Sequence, residues 1–283
     1  MLAPMLLTAS IAAEVDSVLM LKNTSGNTLS HNYNSELLKL ALDTTIEQFG
    51  AYKLDGTLLP MTRDRQFAEL KKGKFINVLA SPYKEKYNKF GIRVPVPLKM
   101  GLPSSRIFLV TEENKDILKN ITTIEQLKKV RTGAHRQWTT TKVLYDQGFN
   151  VIFENQYESL FKMLSLGHFD TFNRGIHEVR SELAEFKPSY PNLTYDKHLV
   201  LFFYLPDYYY VSEKTPKLAK RIEAGLRELH SRGELLKLMQ RFFASELDEF
   251  ELNKRRVFKI KNTNLAPGLY EHDKVFLLNS ELL

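Results

Sequence analysis

One stretch of the sequence, Tyr157 to Gly175, constrains the fold more than any other. It begins with apolar residues at the i, i+3, i+4 and i+7 spacing of a helix face: Tyr157, Leu160, Phe161 and Leu164. Gly167 follows where a left-handed helix cap is expected, and residues 169–174 then alternate between two faces as on a strand. The stretch therefore predicts a helix, a glycine stop and a strand ending in polar residues, and ligands of α/β proteins bind at such strand ends.

The same pattern occurs once earlier in the chain. Four residues of each stretch match at identical spacing: Phe67, Leu70, Gly73 and Phe75 in the first, and Phe161, Leu164, Gly167 and Phe169 in the second. Because helix–glycine–strand joints are common in α/β proteins, the match is either a coincidence or an internal repeat. A repeat would mean two similar lobes, each directing one helix–strand unit toward the space between them.

The length of 283 residues exceeds the usual size of a single core and favours two lobes. Apolar periodicity predicts the order β-α-β-α-β over residues 15–80 and a second such series from Arg106 to Arg174. A proline-rich irregular segment, 81–101, separates them. The run His198 to Leu205 is expected to be extended, and the tail from Leu247 is expected to wrap back over the first lobe.

The first thirteen residues carry no charge and end in small residues, which is typical of a signal peptide lacking its basic start. A poorly ordered tail is the alternative. The sequence has no cysteine, so disulfides, thiolate chemistry and a lipoprotein anchor on the chain as written are excluded. We therefore expect export, with residues 1–13 as a signal-peptide remnant.

The net charge of +7 raises the question of a nucleic-acid partner. The basic residues are scattered among acidic ones, and only Lys254 to Lys261 is locally dense. No zinc or glycine-rich context surrounds that segment, so an exposed basic strand is the favoured interpretation and no nucleic-acid partner is expected. The surplus charge instead favours anionic ligands in any cleft.

Motifs for cofactors, metals and hydrolysis are missing from the sequence. It contains no GxGxxG or GxxxxGK[ST] phosphate loop, no HExxH and no GxSxG elbow. His168 and His177 are nine residues apart, which is not the spacing of a helical metal-ligand pair. We therefore expect no cofactor, no metal and no catalytic residues.

A ligand-holding pattern remains. From Thr132 to Lys142 a strand turns into a helix through Gly133, with Trp138, Thr139 and Thr140 at the helix start, where free N–H groups can receive a carboxylate or phosphate. The alternative is that the threonines only cap the helix and the tryptophan packs.

Two further positions lie at strand ends. Arg174 could grip an anion with two parallel hydrogen bonds, or could form a surface salt bridge with Glu178. Ser81 occupies the equivalent position in the first lobe. The run Tyr208 to Tyr210 could line a cleft, with alternate members packing.

Several short motifs together resemble a known family. They are FGAY (Phe49 to Tyr52), GLPSSR ending at Arg106, GAHRQW (Gly133 to Trp138), LFKMLSLGHFDTFNRGIHE (Leu160 to Glu178) and YYYVS (Tyr208 to Ser212). From Val15 to the C-terminus the chain resembles the bacterial periplasmic solute-binding proteins of family 3, the amino-acid-binding type, and within it an uncharacterised transporter substrate-binding branch. The block from Leu160 to Glu178 is the most specific part.

The resemblance implies an α/β, two-lobed type II periplasmic-binding-protein fold with two extended hinge strands, near Gly101–Arg106 and His198–Leu205. Lobe 1 would comprise residues 14–103 and 204–283, and lobe 2 residues 104–203. A monomer in the periplasm would close on a small-molecule solute and present it to an ABC permease or a membrane sensor.

The departures from the family pattern concern the ligand. The family's arginine after the third strand is replaced by SPYKEK, which offers Ser81 and Lys84 or Lys86, and Arg174, Gly175 and Ile176 stand where an ammonium-binding aspartate is usual. A cation cannot hold an ammonium group, so the solute is expected to be polar or anionic, amino-acid-like or an organic acid. The candidate ligand-binding residues are Ser81, Lys84, Arg106, Trp138, Thr139, Thr140, Asn173 and Arg174.

Two other functions stay open at this level. A periplasmic enzyme built on the same lobes, similar to a dehydratase, would need a cleft carboxylate as acid or base, and Asp170 and Glu178 are the eligible residues. A partner-binding domain with a degenerate cleft is the other alternative.

Overall fold

The structure, a computed structural model, describes residues 15–22, 28–58 and 61–278. The predicted signal-peptide remnant at 1–13 lies outside the described residues. The helices are α1 Thr28–Thr44, α2 Ile46–Phe49, α3 Arg63–Lys72, α4 Ile124–Lys129, α5 Thr139–Asp146, α6 Tyr157–Ser165, α7 Ile176–Phe186, α8 Pro216–Ser231, α9 Glu234–Phe250 and α10 Leu269–Asp273. The strands are β1 Asp16–Leu21, β2 Tyr52–Thr57, β3 Val78–Pro82, β4 Ile92–Arg93, β5 Ser105–Thr111, β6 Thr132–His135, β7 Val151–Glu154, β8 Phe172–Gly175, β9 Leu193–Tyr195, β10 Leu199–Phe202, β11 Asp207–Val211 and β12 Arg256–Lys259.

The first lobe is built on β1, β2, β3, β4 and β11. Strand β1 pairs in parallel with β2, and β11 runs antiparallel between β3 and β4. Asn77 joins the two groups: its N–H donates to the Leu19 carbonyl at 2.8 Å, and its side-chain oxygen accepts the Leu19 N–H at 2.7 Å. Asn77 therefore holds the start of β3 beside β1, as the β-α-β-α-β pattern predicts.

The second lobe contains the sheet β12-β10-β5-β8, with β9 also pairing to β5. The parallel pair β6–β7 is linked to this sheet by a bridge between Thr132 and Thr171. Helix α6 buries the predicted face, with Leu160, Phe161 and Leu164 all inaccessible to solvent. The mixed α/β architecture with two lobes is the predicted one.

The helix–glycine–strand units agree with the sequence in part. Gly73 and Gly167 both have positive φ, 67° and 72°, as the predicted stops require. The following strands begin later than predicted, at Val78 and at Phe172. Phe75 is 53% exposed whereas Phe169 is 1% exposed, so the phenylalanine after the glycine is a core residue only in the second unit.

The C-terminal segment takes a different course from the predicted one. After α9, strand β12 pairs in parallel with β10 of the second lobe, so residues 256–259 lie in that lobe's sheet and not with the first lobe. The chain then returns: Leu269 of α10 packs with Tyr208 and Tyr210 of the first lobe, and the Leu278 N–H donates to the Met100 carbonyl at 3.0 Å. Residues 255–278, which we call the C-terminal strap, thus join both lobes.

Gly225 lets α8 approach α1 closely. A Cβ at this position would lie 2.1 Å from the carbonyl oxygen of Ala41, a backbone atom that cannot turn away. We expect Gly225→Ala to lower the free energy of unfolding by about 1–3 kcal/mol, because the two helices must separate. Denaturant unfolding measures this. The exposed Lys220→Ala on the same helix is the control, and equal stability of the two variants would contradict the prediction.

Candidate functional site

A cleft of about 990 Å³ lies between the lobes. The first lobe contributes the ends of β1 and β3 and the start of α3, and the second lobe contributes the β6–α5 and β8–α7 connections. Loops that follow strands and open helices are the parts of an α/β domain that hold ligands. The volume is at the upper end of the range for small-molecule sites.

Seven of the eight candidate residues line this cleft. They are Ser81, Lys84, Arg106, Trp138, Thr139, Thr140 and Arg174. The eighth, Asn173, is buried beneath it and accepts hydrogen bonds from Arg106, at 3.3 Å to its side-chain oxygen and 3.2 Å to its carbonyl. Asn173 therefore positions Arg106.

Arg174 meets its counterions inside the protein. Its Nε donates to both carboxylate oxygens of Glu182, at 2.9 and 2.8 Å, and its Nη2 lies 3.1 Å from Glu178. Burial disfavours its charge, but the carboxylates of Glu178 and Glu182 outweigh this and raise its pKa. The surface salt bridge with Glu178 that was the alternative interpretation is instead a buried network, and Glu182 was not foreseen. Arg174 is thus a neutralised part of the cleft floor.

Glu178 is the carboxylate of this floor that reaches the cleft. One oxygen accepts the Gly175 N–H at 2.8 Å, as in a helix N-terminal capping interaction, and lies 3.7 Å from Arg106. Burial opposes its ionisation, yet Arg174, His177, Arg106 and the Gly175 N–H lower its pKa to about 2. It remains ionised at neutral pH.

Burial lowers the pKa of Arg106 to about 10, and the Glu178 carboxylate opposes this shift. Arg106 therefore stays protonated at neutral pH.

Three cleft-lining cations of the first lobe, Lys22, Arg63 and Lys84, form no ion pair with a carboxylate of the described residues. Arg63, in the first turn of α3, donates to the Gln66 side chain at 2.9 Å and to the Ala80 carbonyl at 3.1 Å. Lys84 donates across the cleft to the Gln137 carbonyl at 2.8 Å, and burial together with Lys86 lowers its pKa. Arg63 was missed from the sequence, where the guanidinium was sought after β3 and not at the start of α3.

The start of α5 faces these cations from the second lobe. No side chain caps the helix N-terminus, and the Thr141 hydroxyl donates back to the His135 carbonyl at 2.7 Å. The N–H groups of the first turn are therefore available to an anion at the positions of Thr139 and Thr140.

Trp138 packs at the back of the cleft. Its ring stacks on His135 at a centroid distance of 5.3 Å and on Phe172 at 6.0 Å, and the Arg174 guanidinium lies 4.4 Å from its centroid. Trp138 therefore packs against protein, as one half of the alternative interpretation expected, whereas no threonine side chain caps α5. The Ser81 hydroxyl donates to the adjacent Pro82 carbonyl at 3.1 Å.

The inner end of the cleft holds a buried ion pair that the sequence did not indicate. Lys99 Nζ lies 2.6 Å from Asp207, and the two residues are 108 positions apart.

Of the tyrosine run, Tyr209 lines the cleft, while Tyr208 and Tyr210 pack in a separate cluster, as the alternation predicts.

The described residues that line the cleft include seven basic and three acidic side chains. Three of the cations form close ion pairs: Lys86 with Asp64 at 2.8 Å, Lys99 with Asp207, and Arg174 with Glu182. A net positive field therefore remains, to which Lys22, Arg63 and Lys84 contribute without an ion-paired carboxylate among the described residues.

Comparison with solved structures identifies the architecture. The probable amino-acid ABC transporter extracellular-binding protein ytmK from Bacillus subtilis superposes with a TM-score of 0.59 at 16% identity, over 82% of this chain and 100% of that one. A structure from work on glutathione import via GshT and the cystine ABC importer TcyBC of Streptococcus mutans gives 0.56 at 14%, over 82% and 96%. The chain has the fold of periplasmic solute-binding proteins.

The predicted fold class, a two-lobed α/β periplasmic-binding fold, is thereby confirmed. The first predicted hinge segment differs, because Leu102–Ser104 form a 3-10 helix and the extended strand begins at Ser105. A histidine kinase sensor domain with similarity to periplasmic binding proteins also superposes, with a TM-score of 0.52 at 15% identity over 81% of this chain and 95% of that one. No protein-family model matches the sequence, and a search of curated proteins found no match.

Within a solute-binding fold, the two carboxylates considered for catalysis are poorly suited to it. Asp170 does not line the cleft; it pairs with Arg131 at 2.6 Å on the protein surface. Glu178 lines the cleft, but its pKa of about 2 is far from the value that an acid or base needs near neutral pH. Among the described residues, no group of three or more potential ligands could hold a metal ion.

Proposed function

We propose that this protein captures a small polar solute carrying an anionic group in its interlobe cleft, without chemical conversion, for a transporter or a membrane sensor. The observation that carries the proposal is that two kinds of anion-binding group line the cleft from opposite lobes. Arg63 and Lys84 have no carboxylate partner among the described residues, and the N-terminus of α5 across from them has no side-chain cap.

An anion at this place would contact both lobes at once. Arg63 and Lys84 belong to the first lobe, and the first-turn N–H groups of α5 belong to the second. Contacts that exist only when the lobes are close stabilise the closed state and make closure depend on the solute. The Lys84–Gln137 hydrogen bond already crosses the cleft.

The remainder of the cleft would hold the rest of the solute. Glu178 and Asp207 offer carboxylate oxygens to its donors, and their ion pairs with Arg174, Arg106 and Lys99 keep them in place. The sequence-predicted anion clamp at Arg174 is replaced by Arg63 in this proposal, and Arg174 and Asn173 become positioning residues.

The proposed solute-binding role also suggests which partner the protein has and where it acts. The similar structures include transporter binding proteins and a sensor domain, and a solute-binding role of this kind implies a periplasmic or extracellular site of action. None of the described helices combines the length and apolar character needed to cross a membrane. We propose a monomer divided near residues 103 and 204, with β12 contributed to the second lobe.

The proposal is tested by thermal unfolding against amino acids, organic acids and small peptides. A solute at 100 times its Kd should add about 2.7 kcal/mol of stability. Because a charge-assisted hydrogen bond contributes about 1.5–3 kcal/mol, Arg63→Ala should weaken binding of that solute by roughly 10- to 100-fold. Calorimetry provides the Kd.

Arg65→Ala is the matched control, since Arg65 lies on the same helix turn, is exposed and does not line the cleft. Equal affinity in Arg63→Ala and Arg65→Ala would overturn the anion site. Absence of any stabilising solute would overturn the solute-binding function.

A further inference from the structure

A second cavity, of about 560 Å³, lies between the hinge and the C-terminal strap, and it shares no lining residue with the cleft. Side chains alternate along the extended hinge segment, so Leu205 faces the cleft while Phe202 and Tyr204 face this cavity. The opposite wall is the strap from Lys259 to Glu271. We call this space the strap cavity.

The walls of the strap cavity are held firmly. The Asn262 side chain donates to the Tyr204 carbonyl at 2.9 Å, which ties the strap to the hinge. The Tyr204 hydroxyl donates to Asp273 at 2.6 Å, and Asp273 is fully buried. Tyr204 thus lines the cavity with its hydroxyl already engaged. A cavity whose walls are fixed in advance binds at a low cost in conformational entropy.

The lining is apolar with a basic rim. Its apolar members are Phe202, Tyr204, Ile260, Leu265, Ala266, Pro267 and Tyr270. Tyr270 is 38% exposed although it packs edge-on against Tyr204 at 5.0 Å, so part of the apolar lining faces solvent here. Exposed apolar surface of this kind marks a place where burial by a ligand is favourable.

The charges on the rim are unbalanced. Lys259 and Lys261 form no ion pair with any described carboxylate, and the Lys259 ammonium lies 5.5 Å from the centre of the Phe202 ring. The one acidic residue of the lining, Glu271, is paired with Lys274 at 2.5 Å. Two ammonium groups beside an apolar hollow complement a molecule with one apolar end and one anionic end.

We propose that the strap cavity binds a small amphiphilic carboxylate, an aromatic or medium-chain aliphatic acid. Its apolar part lies against Tyr204 and Tyr270, and its carboxylate lies between Lys259 and Lys261. This site is independent of the cleft and does not rest on the solute proposed for it.

The experiment is calorimetric titration of the full chain with octanoate and with 4-phenylbutyrate, each compared with its uncharged amide. We expect saturable one-to-one binding of at least one acid, and at least tenfold weaker binding of the matching amide, because the amide lacks the charge that the lysines complement. Lys259→Ala combined with Lys261→Ala should weaken binding of the acid at least tenfold. Ala266→Phe, which leaves both lysines in place and fills the cavity, should do the same.

Two controls separate this site from others. Lys217→Ala combined with Lys237→Ala removes two exposed lysines elsewhere and should leave the affinity for the acid unchanged. Arg63→Ala in the cleft should also leave it unchanged. Equal binding of acid and amide, loss of binding in Arg63→Ala, or undiminished binding in Ala266→Phe would each overturn the proposal.

Discussion

Replacing Glu182 with alanine is expected to lower the free energy of unfolding by about 3–5 kcal/mol. The variant leaves the Arg174 guanidinium, which is 6% exposed, without the carboxylate that accepts its two Nε hydrogen bonds. It also removes the acceptor of the Tyr157 hydroxyl, which lies 2.7 Å from Glu182. Arg174 then keeps only Glu178, a carboxylate that also faces Arg106, so much of the desolvation cost of its charge is no longer offset.

Denaturant unfolding at neutral pH measures this effect. Glu185→Ala is the control, because Glu185 is exposed on the same helix. The double variant Glu182→Leu, Arg174→Met replaces the whole pair with apolar side chains and should recover much of the loss. A decrease below about 1 kcal/mol in Glu182→Ala would show that Arg174 is satisfied without Glu182.

Acidification from pH 7 to pH 4 is expected to destabilise the protein by about 3 kcal/mol through His177. The imidazole is buried at the start of α7, and its Nδ1 has no hydrogen-bond partner among the described residues. Burial lowers its pKa from 6.5 to about 4; Glu178 and Asp207 oppose the shift, and Lys99 and Arg106 support it. Because the folded state holds His177 neutral, the unfolded chain takes up the proton first, and stability falls as the pH drops below 6.5.

A second loss follows at lower pH. The pKa of Glu178 is lowered to about 2, so its contribution is complete above the ordinary value of 4.5 and disappears as the pH falls toward 2. Unfolding measured across a pH series tests both windows. His177→Gln should flatten the profile between pH 7 and pH 4, whereas the exposed His168→Gln should not. A wild-type profile that is flat over this range would contradict the assignment.

The sequence was informative wherever the signal was local. The stripe in α6 and the stops at Gly73 and Gly167 follow from helical spacing and from the backbone freedom of glycine, so they were predicted correctly. Strand ends also indicated where the cleft would be, which is why seven of the eight candidate residues line it. The resemblance of the LFKMLSLGHFDTFNRGIHE block to periplasmic solute-binding proteins predicted the two-lobed fold correctly.

The roles of those residues were harder to predict, because they depend on which charged neighbours the folded strands and helices bring into contact. Arg174 looked available for an anion, but the register of α7 brings Glu182 against it. Among the described residues, the cleft guanidinium without a carboxylate partner is that of Arg63, on the helix before β3, whereas the resemblance placed an arginine after that strand. A residue type at a strand end shows that a charge is present and leaves open which partner neutralises it.

By itself the sequence determined the order of helices and strands over residues 15–80 and 106–174 and the two-lobed α/β fold, since these follow from periodicity, glycine stops and chain direction over short distances. Only the tertiary structure decided the charge balance of the cleft, the pairing of Lys99 with Asp207 and the passage of β12 into the second lobe. The physical reason is that ion pairing and strand addition join residues tens to more than a hundred positions apart. Their energies depend on burial and distance, which no local pattern contains.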